Sequence, residues 1–221
     1  MKEKDFFKNK NILITAGPTW VAVDKVRVIT NIFGGALGSI IAQKAKETGA
    51  KVTLLMGPGR AILPKESKNL KIIKFKFYDE LLDLIKKEVG SKKYDIVIHS
   101  SAVADYKPVL SKESKIKSGK KSLIIKLKPT AKIVDLMKKL DPKIFLVKFK
   151  LEVDLTEKQL IDVAYKSMMS SKADLIVAND FKTVIASHKA FIIDKDKKIK
   201  EVNGKEKIAS ELFKLLELKL K

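Results

Sequence analysis

The stretch NILITAGPTWVAVDKVRVITNIFGGALG, residues 11–38, decides the fold of this chain. It opens with the apolar run of a buried strand over 11–15, and a glycine-rich turn over 34–38 precedes a helix expected over 39–48. A strand that leads through such a turn into a helix N-terminus presents backbone N–H groups to an anion. The stretch therefore predicts a site for a phosphate-bearing ligand, with a plain connecting turn as the open alternative.

Strands and helices alternate along the rest of the chain. The apolar runs that predict strands are 51–56, 70–75, 95–100, 122–127, 143–149 and 173–178. The predicted helices are 78–89, 130–140 with Thr130 as N-cap, 156–170 with a capping box at Thr156 and Gln159, and 205–218. A hairpin, 190–193 with 199–202, precedes the last helix. This order predicts an α/β fold, a Rossmann-like and mainly parallel sheet with helices on both faces.

The carboxyl ends of two predicted strands, 15–17 and 99–102, are where such a sheet binds ligands, because the strand order reverses there. A lysine-rich segment at about 106–122 is rooted at the second strand end, and its length and charge are typical of a flap over a site. We find no repeat, linker or domain boundary. Residues 1–221 are therefore expected to form a single domain with a flap and a C-terminal hairpin.

The composition limits the class of protein. With 221 residues, 45% of them hydrophobic, the chain can bury a large core, and it has no cysteine for disulfides or thiolate sites. No apolar run is long enough to span a bilayer and the N-terminus is charged, so we expect a cytoplasmic protein without a membrane partner. The net charge of +21 comes from dispersed lysines with only two arginines, which favours anionic small molecules over nucleic acid.

Several common active sites lack their signatures. His99 and His188 lie in different segments without metal-ligand spacing, and no nucleophile elbow is present. Gly38-Ser39 lacks the lysine of a P-loop, and the second strand ends without the acidic residue of a dinucleotide site. What remains is a phosphate-cradling turn, Asn31 beside it and a lysine-rich flap, parts suited to phosphoryl or nucleotidyl transfer.

Five motifs occur in the order seen in one family. ITAGPT, DKVRVITN with its glycine turn, SAVADYKP, KIK and ADLIVAND together resemble the phosphopantothenate–cysteine ligases, also called phosphopantothenoylcysteine synthetases. The similarity covers roughly Asn11 to Leu218. No fused decarboxylase precedes these motifs, so the resemblance is to a stand-alone form.

The resemblance implies a ligase of coenzyme A biosynthesis. In that family the carboxylate of 4′-phosphopantothenate attacks the α-phosphate of a nucleoside triphosphate to form an acyl-nucleotidylate and pyrophosphate. The expected triphosphate is CTP, with ATP as the alternative, and Mg²⁺ accompanies it. The amine of L-cysteine then forms the amide and releases the nucleoside monophosphate. A homodimer is also implied. A nucleotide-binding relative without turnover and a basic nucleic-acid-binding protein are the alternatives.

The resemblance also implies roles for particular residues. Asn31 matches the asparagine that stabilises the acyl-nucleotidylate, Lys115 matches the flap lysine that neutralises the triphosphate, and Arg27 matches an arginine that reaches the substrate phosphate across a dimer interface. The implied nucleotide-binding positions are Gly34, Gly35, Gly38, Ser101, Ala102, Asp105, Lys115, Pro129, Thr130, Ala131, Lys132, Phe149 and Lys166. The implied substrate-binding positions are Arg27, Asn31, Ala102 and Asp105.

Three departures from the family pattern concern phosphate and nucleotide binding. Phe33-Gly34 stands where the family has a pair of hydroxyl side chains, and Pro18 replaces a glycine and so lacks an N–H. Lys148 occupies a position before Phe149 that is usually glycine. These substitutions leave the choice of nucleotide open.

Overall fold

A computed structural model describes residues 6–111, 114–119 and 121–221 of the chain, so Lys112, Glu113 and Lys120 of the expected flap lie outside the described residues. The strands are β1 (Asn11–Ala16), β2 (Trp20–Ala22), β3 (Val28–Thr30), β4 (Lys51–Met56), β5 (Leu70–Lys74), β6 (Ile96–His99), β7 (Tyr106–Pro108), β8 (Leu127–Pro129), β9 (Phe145–Glu152), β10 (Leu175–Asp180), β11 (Lys189–Asp194) and β12 (Ile199–Asn203). The helices are α1 (Ala36–Glu47), α2 (Tyr78–Gly90), α3 (Ile133–Leu140), α4 (Glu157–Ser170), α5 (Phe181–Ala186) and α6 (Lys205–Leu220).

Eight strands form one mainly parallel sheet in the order β12-β11-β10-β9-β6-β1-β4-β5. β1 lies inside it and pairs in parallel on both sides, Ile12 with Val52 of β4 and with Ile96 of β6. β4 and β5 lie in sequence order on one side of β1, and the next strand of the sheet, β6, lies on the other side of β1. The strand order therefore reverses between β1 and β6, as the sequence predicts, and the mainly parallel sheet is confirmed.

The two faces of the sheet carry separate cores because side chains along a strand alternate in direction. Ile12 and Ile14 of β1 pack on one face with buried residues of α1 and α6, such as Ile41 and Leu212. Leu13 points to the other face, where α2, α3 and α4 contribute their apolar sides. Helices on both faces are thus confirmed, and the antiparallel strands β11 and β12 form the C-terminal hairpin that the sequence predicts.

Two local predictions are wrong. Residues 122–126 form no strand; their side chains are exposed, and only Leu127–Pro129 pairs, with β7. Thr130 is not an N-cap, because α3 begins at Ile133 and the Thr130 hydroxyl donates instead to Ala104 O at 2.6 Å.

Three short elements have no counterpart in the sequence predictions. The hairpin of β2 and β3, the pair formed by β7 and β8, and the six-residue helix α5 are all too short to show a hydrophobic period. Within the described ranges, no helix combines the length and the apolar character that a membrane crossing requires.

The predicted capping box of α4 is present, and it offers a test of the local fold. Gln159 N–H donates to the Thr156 hydroxyl at 3.3 Å, and Thr156 N–H donates to Gln159 Oε1 at 3.0 Å. Thr156→Ala removes one of these bonds and is expected to lower the free energy of unfolding by about 1 kcal/mol in urea titrations. Thr156→Ser should retain most of it, and an equal loss in both variants would contradict this assignment.

Candidate functional site

A cavity of about 760 Å³ opens at the carboxyl ends of the central strands. Its walls come from Gly17 after β1, from His99 at the end of β6 and from the second half of β9. The N-termini of α1 and α3 and the C-terminal turn of α4 contribute further lining residues. The cavity therefore lies where the strand order reverses, which is the place where open α/β sheets bind their ligands.

The glycine turn is held against the sheet by contacts that leave no room for side chains. A Cβ on Gly35 would lie 2.7 Å from Gly17 N, and Gly35 has a φ of 84°, in the left-handed region that favours glycine. A Cβ on Gly38, in the first turn of α1, would collide with the side chains of Ala16 and Ser100. The glycine turn and the first residues of α1 line the cavity, and the N–H groups of a helix start can bind an anion.

Asn31 is bonded to one of the two strand ends that the sequence singles out. Its side-chain Nδ2 donates to Ala102 O at 3.0 Å, and both residues line the cavity. Thr19 fixes the neighbouring backbone, because its N–H donates to Ala102 O and its hydroxyl accepts from Ala104 N–H at 2.9 Å. The loop that carries Asn31 is thereby docked on the segment that follows β6.

Two buried side chains that can carry a positive charge, His99 on β6 and Lys148 on β9, lie next to each other. His99 pairs with Lys148 in the parallel register, and its Nδ1 lies 2.8 Å from the Thr15 hydroxyl. Burial, reinforced by the charge of Lys148, lowers the pKa of His99 to about 4, so the imidazole is neutral at physiological pH. Burial lowers the pKa of Lys148 to about 8, with smaller contributions from Lys150 and Lys132.

Most of the residues singled out from the sequence lie together. The predicted residues that line the cavity are Asn31, Gly34, Gly35, Gly38, Ala102, Asp105, Ala131, Lys132 and Phe149. Pro129 and Thr130 immediately precede the lining residue Ala131. Ser101 lies between the lining residues Ser100 and Ala102, and its hydroxyl is buried without a hydrogen-bond partner among the described residues. Lys166 is exposed on α4 outside the lining, whereas Ser167 and Ser170 belong to it.

Arg27 and Lys115 lie outside the cavity lining. The guanidinium of Arg27 is paired with Asp24 of the same hairpin at 2.9 Å and also donates to Ile116 O at 3.2 Å. The Asp24 carboxylate accepts from Ile116 N–H at 2.9 Å, and this bond is the largest influence that lowers the pKa of Asp24. The expected flap is thus attached to the β2–β3 hairpin next to Lys115, whose own side chain is exposed.

The departure at Phe33-Gly34 has a visible structural outcome. Phe33 lines the cavity and makes an edge-on contact with Phe181 of α5, with ring centroids 6.0 Å apart and planes at 81°. An aromatic pair stands there instead of hydroxyl groups. Gly34 approaches the backbone of Gly59 and Arg60, so the turn is also held from the side of β4.

A family model described as "DNA/pantothenate metabolism flavoprotein C-terminal domain" matches residues 7–218. The chain belongs to this family. A solved structure of the DNA/pantothenate metabolism flavoprotein from Streptococcus pneumoniae has a TM-score of 0.87 and 35% identity, covering 95% of this chain and 99% of that one. The family resemblance that the motifs indicate is confirmed.

Curated relatives of this flavoprotein C-terminal domain carry the name "Coenzyme A biosynthesis bifunctional protein CoaBC". The one from Thermococcus kodakarensis is 39% identical over 79% of this chain and 42% of its own length. The one from Borreliella burgdorferi is 35% identical over 97% of this chain and 54% of its own length. The chain therefore spans about half the length of these relatives.

Some lining residues of this family member are not among the sequence predictions. Asn179 of β10, His188 of the connection between α5 and β11, and Lys205 of α6 also line the cavity. Asn179 is in the ADLIVAND motif, and its Nδ2 donates to Lys189 O at 2.9 Å, while Asp180 caps α5 by accepting from Lys182 N–H at 3.0 Å. The motif is thus explained in part by structural hydrogen bonds.

Gly38→Ala tests the close packing of the glycine turn. The added methyl group would push α1 from β1, so we expect a loss of about 1–3 kcal/mol in the free energy of unfolding, measured by chemical denaturation. Gly90→Ala is the matched control, because a Cβ on Gly90, at the end of α2, would meet no atom within 4 Å. Equal stability of the two variants would contradict the packing described.

Proposed function

We propose that the chain catalyses the joining of 4′-phosphopantothenate and L-cysteine, using a nucleoside triphosphate, with CTP favoured. The proposal is supported by family membership, by the coenzyme A biosynthesis names of the curated relatives and by the five motifs. The observation that carries it is Asn31, whose side chain reaches from the glycine turn to Ala102 across the wall of one cavity.

In the first step, a carboxylate oxygen of 4′-phosphopantothenate attacks the α-phosphorus of the triphosphate. A P–O bond forms to the carboxylate, the bond to the β-phosphate breaks, and pyrophosphate leaves. Residues 34–38 would hold the phosphates through backbone N–H groups, because the turn is open to the cavity and no acidic residue lies in the first turn of α1.

In the second step, the cysteine amine attacks the acyl carbon of the mixed anhydride. The C–N bond forms, the bond from the acyl carbon to the nucleotide oxygen breaks, and the nucleoside monophosphate leaves while the amine loses a proton. The carboxamide of Asn31 can donate to an oxygen that carries developing charge and brings no charge of its own to trap the intermediate.

The charge of the cavity wall fits anionic substrates. Four of its residues are lysines, Lys132, Lys148, Lys150 and Lys205, and two are aspartates, Asp105 and Asp135. Lys132 and Asp105 approach each other at 3.6 Å, and Lys150 is paired with Glu152 at 2.9 Å. A surplus of cations in a partly closed site attracts phosphate groups and stabilises the charge of a nucleotidyl transfer.

Mg²⁺ would enter with the triphosphate as part of the substrate. The described part of the chain holds no group of three or more potential metal ligands, so a resident metal centre finds no support there. Magnesium bound to nucleotides usually takes one or two carboxylates besides phosphate oxygens and water. Asp105 and Asp135 are the cavity-lining carboxylates that suit this task.

Asn31→Asp separates the two half-reactions and tests the proposal. With Mg²⁺, 4′-phosphopantothenate and CTP, the wild-type protein should release pyrophosphate, and added cysteine should yield the amide and CMP. In the Asn31→Asp variant we expect amide formation to fall by about 100-fold or more, with a smaller effect on pyrophosphate release.

No pyrophosphate release by the wild-type protein with either CTP or ATP would overturn the proposed activity. Equal loss of both half-reactions in the variant would overturn only the role of Asn31. Binding of CTP without cysteine-dependent turnover would favour the second candidate, a nucleotide-binding relative, for which the Phe33–Phe181 contact in place of hydroxyl donors is the specific observation.

A homodimer is part of the proposal, and the β2–β3 hairpin is its expected contact surface. Its apolar side chains are unusually open, with Val26 62% and Ile29 38% exposed, and Ile32 just beyond it 81% exposed. Arg27 lies in the same hairpin, so pairing of two hairpins would bring this guanidinium toward the second protomer. A surface of this kind is stable when covered by an equivalent apolar surface.

Ile29→Lys tests the dimer. The buried charge should shift the wild-type dimer toward monomer in sedimentation velocity runs, whereas Ile199→Lys, at a similarly exposed isoleucine on β12, should leave the dimer intact. A wild-type protein that sediments as a monomer at micromolar concentration would contradict the proposal.

A further inference from the structure

Lys148 is a buried lysine in the wall of the cavity, on the side of the sheet that faces α3 and α4. Its residue is only 7% exposed, and its Nζ donates to Ser167 Oγ at 2.9 Å, to Ser167 O at 3.1 Å and to Ser171 Oγ at 3.2 Å. Ser167 itself lines the cavity. Lys148 lines the cavity as well, and its ammonium is anchored to the C-terminal end of α4.

No carboxylate of the described residues is close enough to Nζ to form an ion pair. Asp135 of α3 is the acidic group that acts on the ammonium through space. Its charge works against the effect of burial, which lowers the pKa of Lys148. His99 faces it from β6 as a neutral ring, while Lys150 of β9 and Lys132 of α3 oppose its charge. A buried ammonium without a counter-ion costs free energy even when protein oxygens accept its hydrogen bonds, and an electron-rich ligand atom would reduce that cost.

The position of Lys148 within the cavity separates it from the phosphate end. The glycine turn follows β1, and β6 lies between β1 and β9, so Lys148 is about two strand spacings, or ~10 Å, from β1. The surrounding lining residues are Ser167 and Ser170 of α4 and His99. These three side chains are uncharged and can bond to polar atoms of a base, while the charged lining residues Lys132, Lys150 and Asp135 act on Lys148 only through space.

We propose that Lys148 determines nucleotide specificity by donating a hydrogen bond to a carbonyl oxygen of the nucleobase. This inference rests on the proposed function and deepens it. An ammonium has three donors and no acceptor, so it discriminates between bases by where their acceptor atoms lie. Cytosine carries an exocyclic carbonyl oxygen, whereas the exocyclic group of adenine is an amino donor and its acceptors are ring nitrogens at other positions. Position 148 is glycine in the family pattern, so only chains with a lysine there would make this contact with the base.

The hydrogen bonds of Lys148 allow such a contact. Two of its three acceptors belong to Ser167, and the longest bond goes to Ser171, whose hydroxyl also donates to Met168 O at 3.1 Å. A ligand oxygen can therefore replace the Ser171 hydroxyl as an acceptor of the Lys148 ammonium, and the hydroxyl would still donate to Met168 O. The bonds to Ser167 would keep the ammonium in place, since they also satisfy a carbonyl of the last turn of α4.

A purely structural role is the alternative, because a lysine at a helix C-terminus stabilises the last carbonyls. Lys138 provides a matched control for this role. It is also largely buried, and it donates to Ile144 O at 2.6 Å, but it is paired with Asp174 and lies outside the cavity lining. Both Lys148→Met and Lys138→Met should lower the thermal midpoint, and only the first should alter nucleotide binding.

The test measures equilibrium binding of CTP, ATP and inorganic tripolyphosphate, each with Mg²⁺, to the wild-type chain, Lys148→Met and Lys138→Met. We expect Lys148→Met to weaken CTP by about 10-fold or more, because a hydrogen bond from a charged donor is lost. ATP and tripolyphosphate should change by less than about 2-fold, and Lys138→Met should match the wild type for all three.

A second measurement needs no variant. The pKa of Lys148 lies at about 8, so the wild-type affinity for CTP should fall between about pH 7 and about pH 9 as the ammonium loses its proton, while the affinity for tripolyphosphate falls less. A CTP affinity that follows the tripolyphosphate affinity up to about pH 11, above the ordinary pKa of lysine, would overturn the inference.

The remaining outcomes are also decisive. Equal weakening of CTP, ATP and tripolyphosphate by Lys148→Met would assign the ammonium to a phosphate and overturn its role at the base. Unchanged binding by a folded Lys148→Met protein would leave only the helix-capping role. A wild-type chain that binds CTP but lacks ligase turnover would refute the proposed function alone, whereas a chain that binds no nucleotide would refute both.

Discussion

The structure depends on a space too narrow for side chains, where the ends of β1 and β4 meet the start of α1. A Cβ on Gly17 would lie 3.0 Å from the backbone of Gly57, and a Cβ on Gly57 would collide with Pro18 O. Gly35 fills the remaining gap against Gly17. Since backbone packs on backbone here, the N–H groups of the turn are brought to the sheet edge, and the cavity has a floor of peptide groups instead of side chains.

A second set of constraints brings the separate segments of the site into one wall. Thr15 accepts a bond from Ser101 N–H through its hydroxyl and from Ser100 N–H through its carbonyl, so the segment after β6 is fixed to β1. Thr19 and Asn31 fix the same segment a few residues later, because the Thr19 hydroxyl accepts from Ala104 N–H and the Asn31 side chain donates to Ala102 O. The binding wall is thus built mainly from hydrogen bonds between short polar side chains and backbone, which hold geometry with little conformational freedom.

Much of the fold and part of the site follow from sequence because their signals are local. Apolar runs mark β1, β4 and β10, and adjacent glycines mark the turn before α1. The N-cap prediction for Thr130 is wrong because a threonine before a helix resembles an N-cap, and only the fold shows its hydroxyl bonded to Ala104 O. The hydrogen bonds of Lys148 on β9 go to Ser167 and Ser171 at the C-terminal end of α4, which lie 19 and 23 positions later in the chain. Contacts over such a separation leave no periodic signal in the sequence.

The lysine surplus has one more consequence, at the two edges of the sheet. β5 and β12 are the outermost strands and have no partner on their outer side within the described sheet, which leaves backbone groups able to pair with another chain. Lys71 and Lys74 are exposed on β5, and Lys200 and Glu201 on β12. Charged side chains at these positions, most of them lysines, oppose sheet extension, so the basic composition also protects the protein against edge-to-edge aggregation.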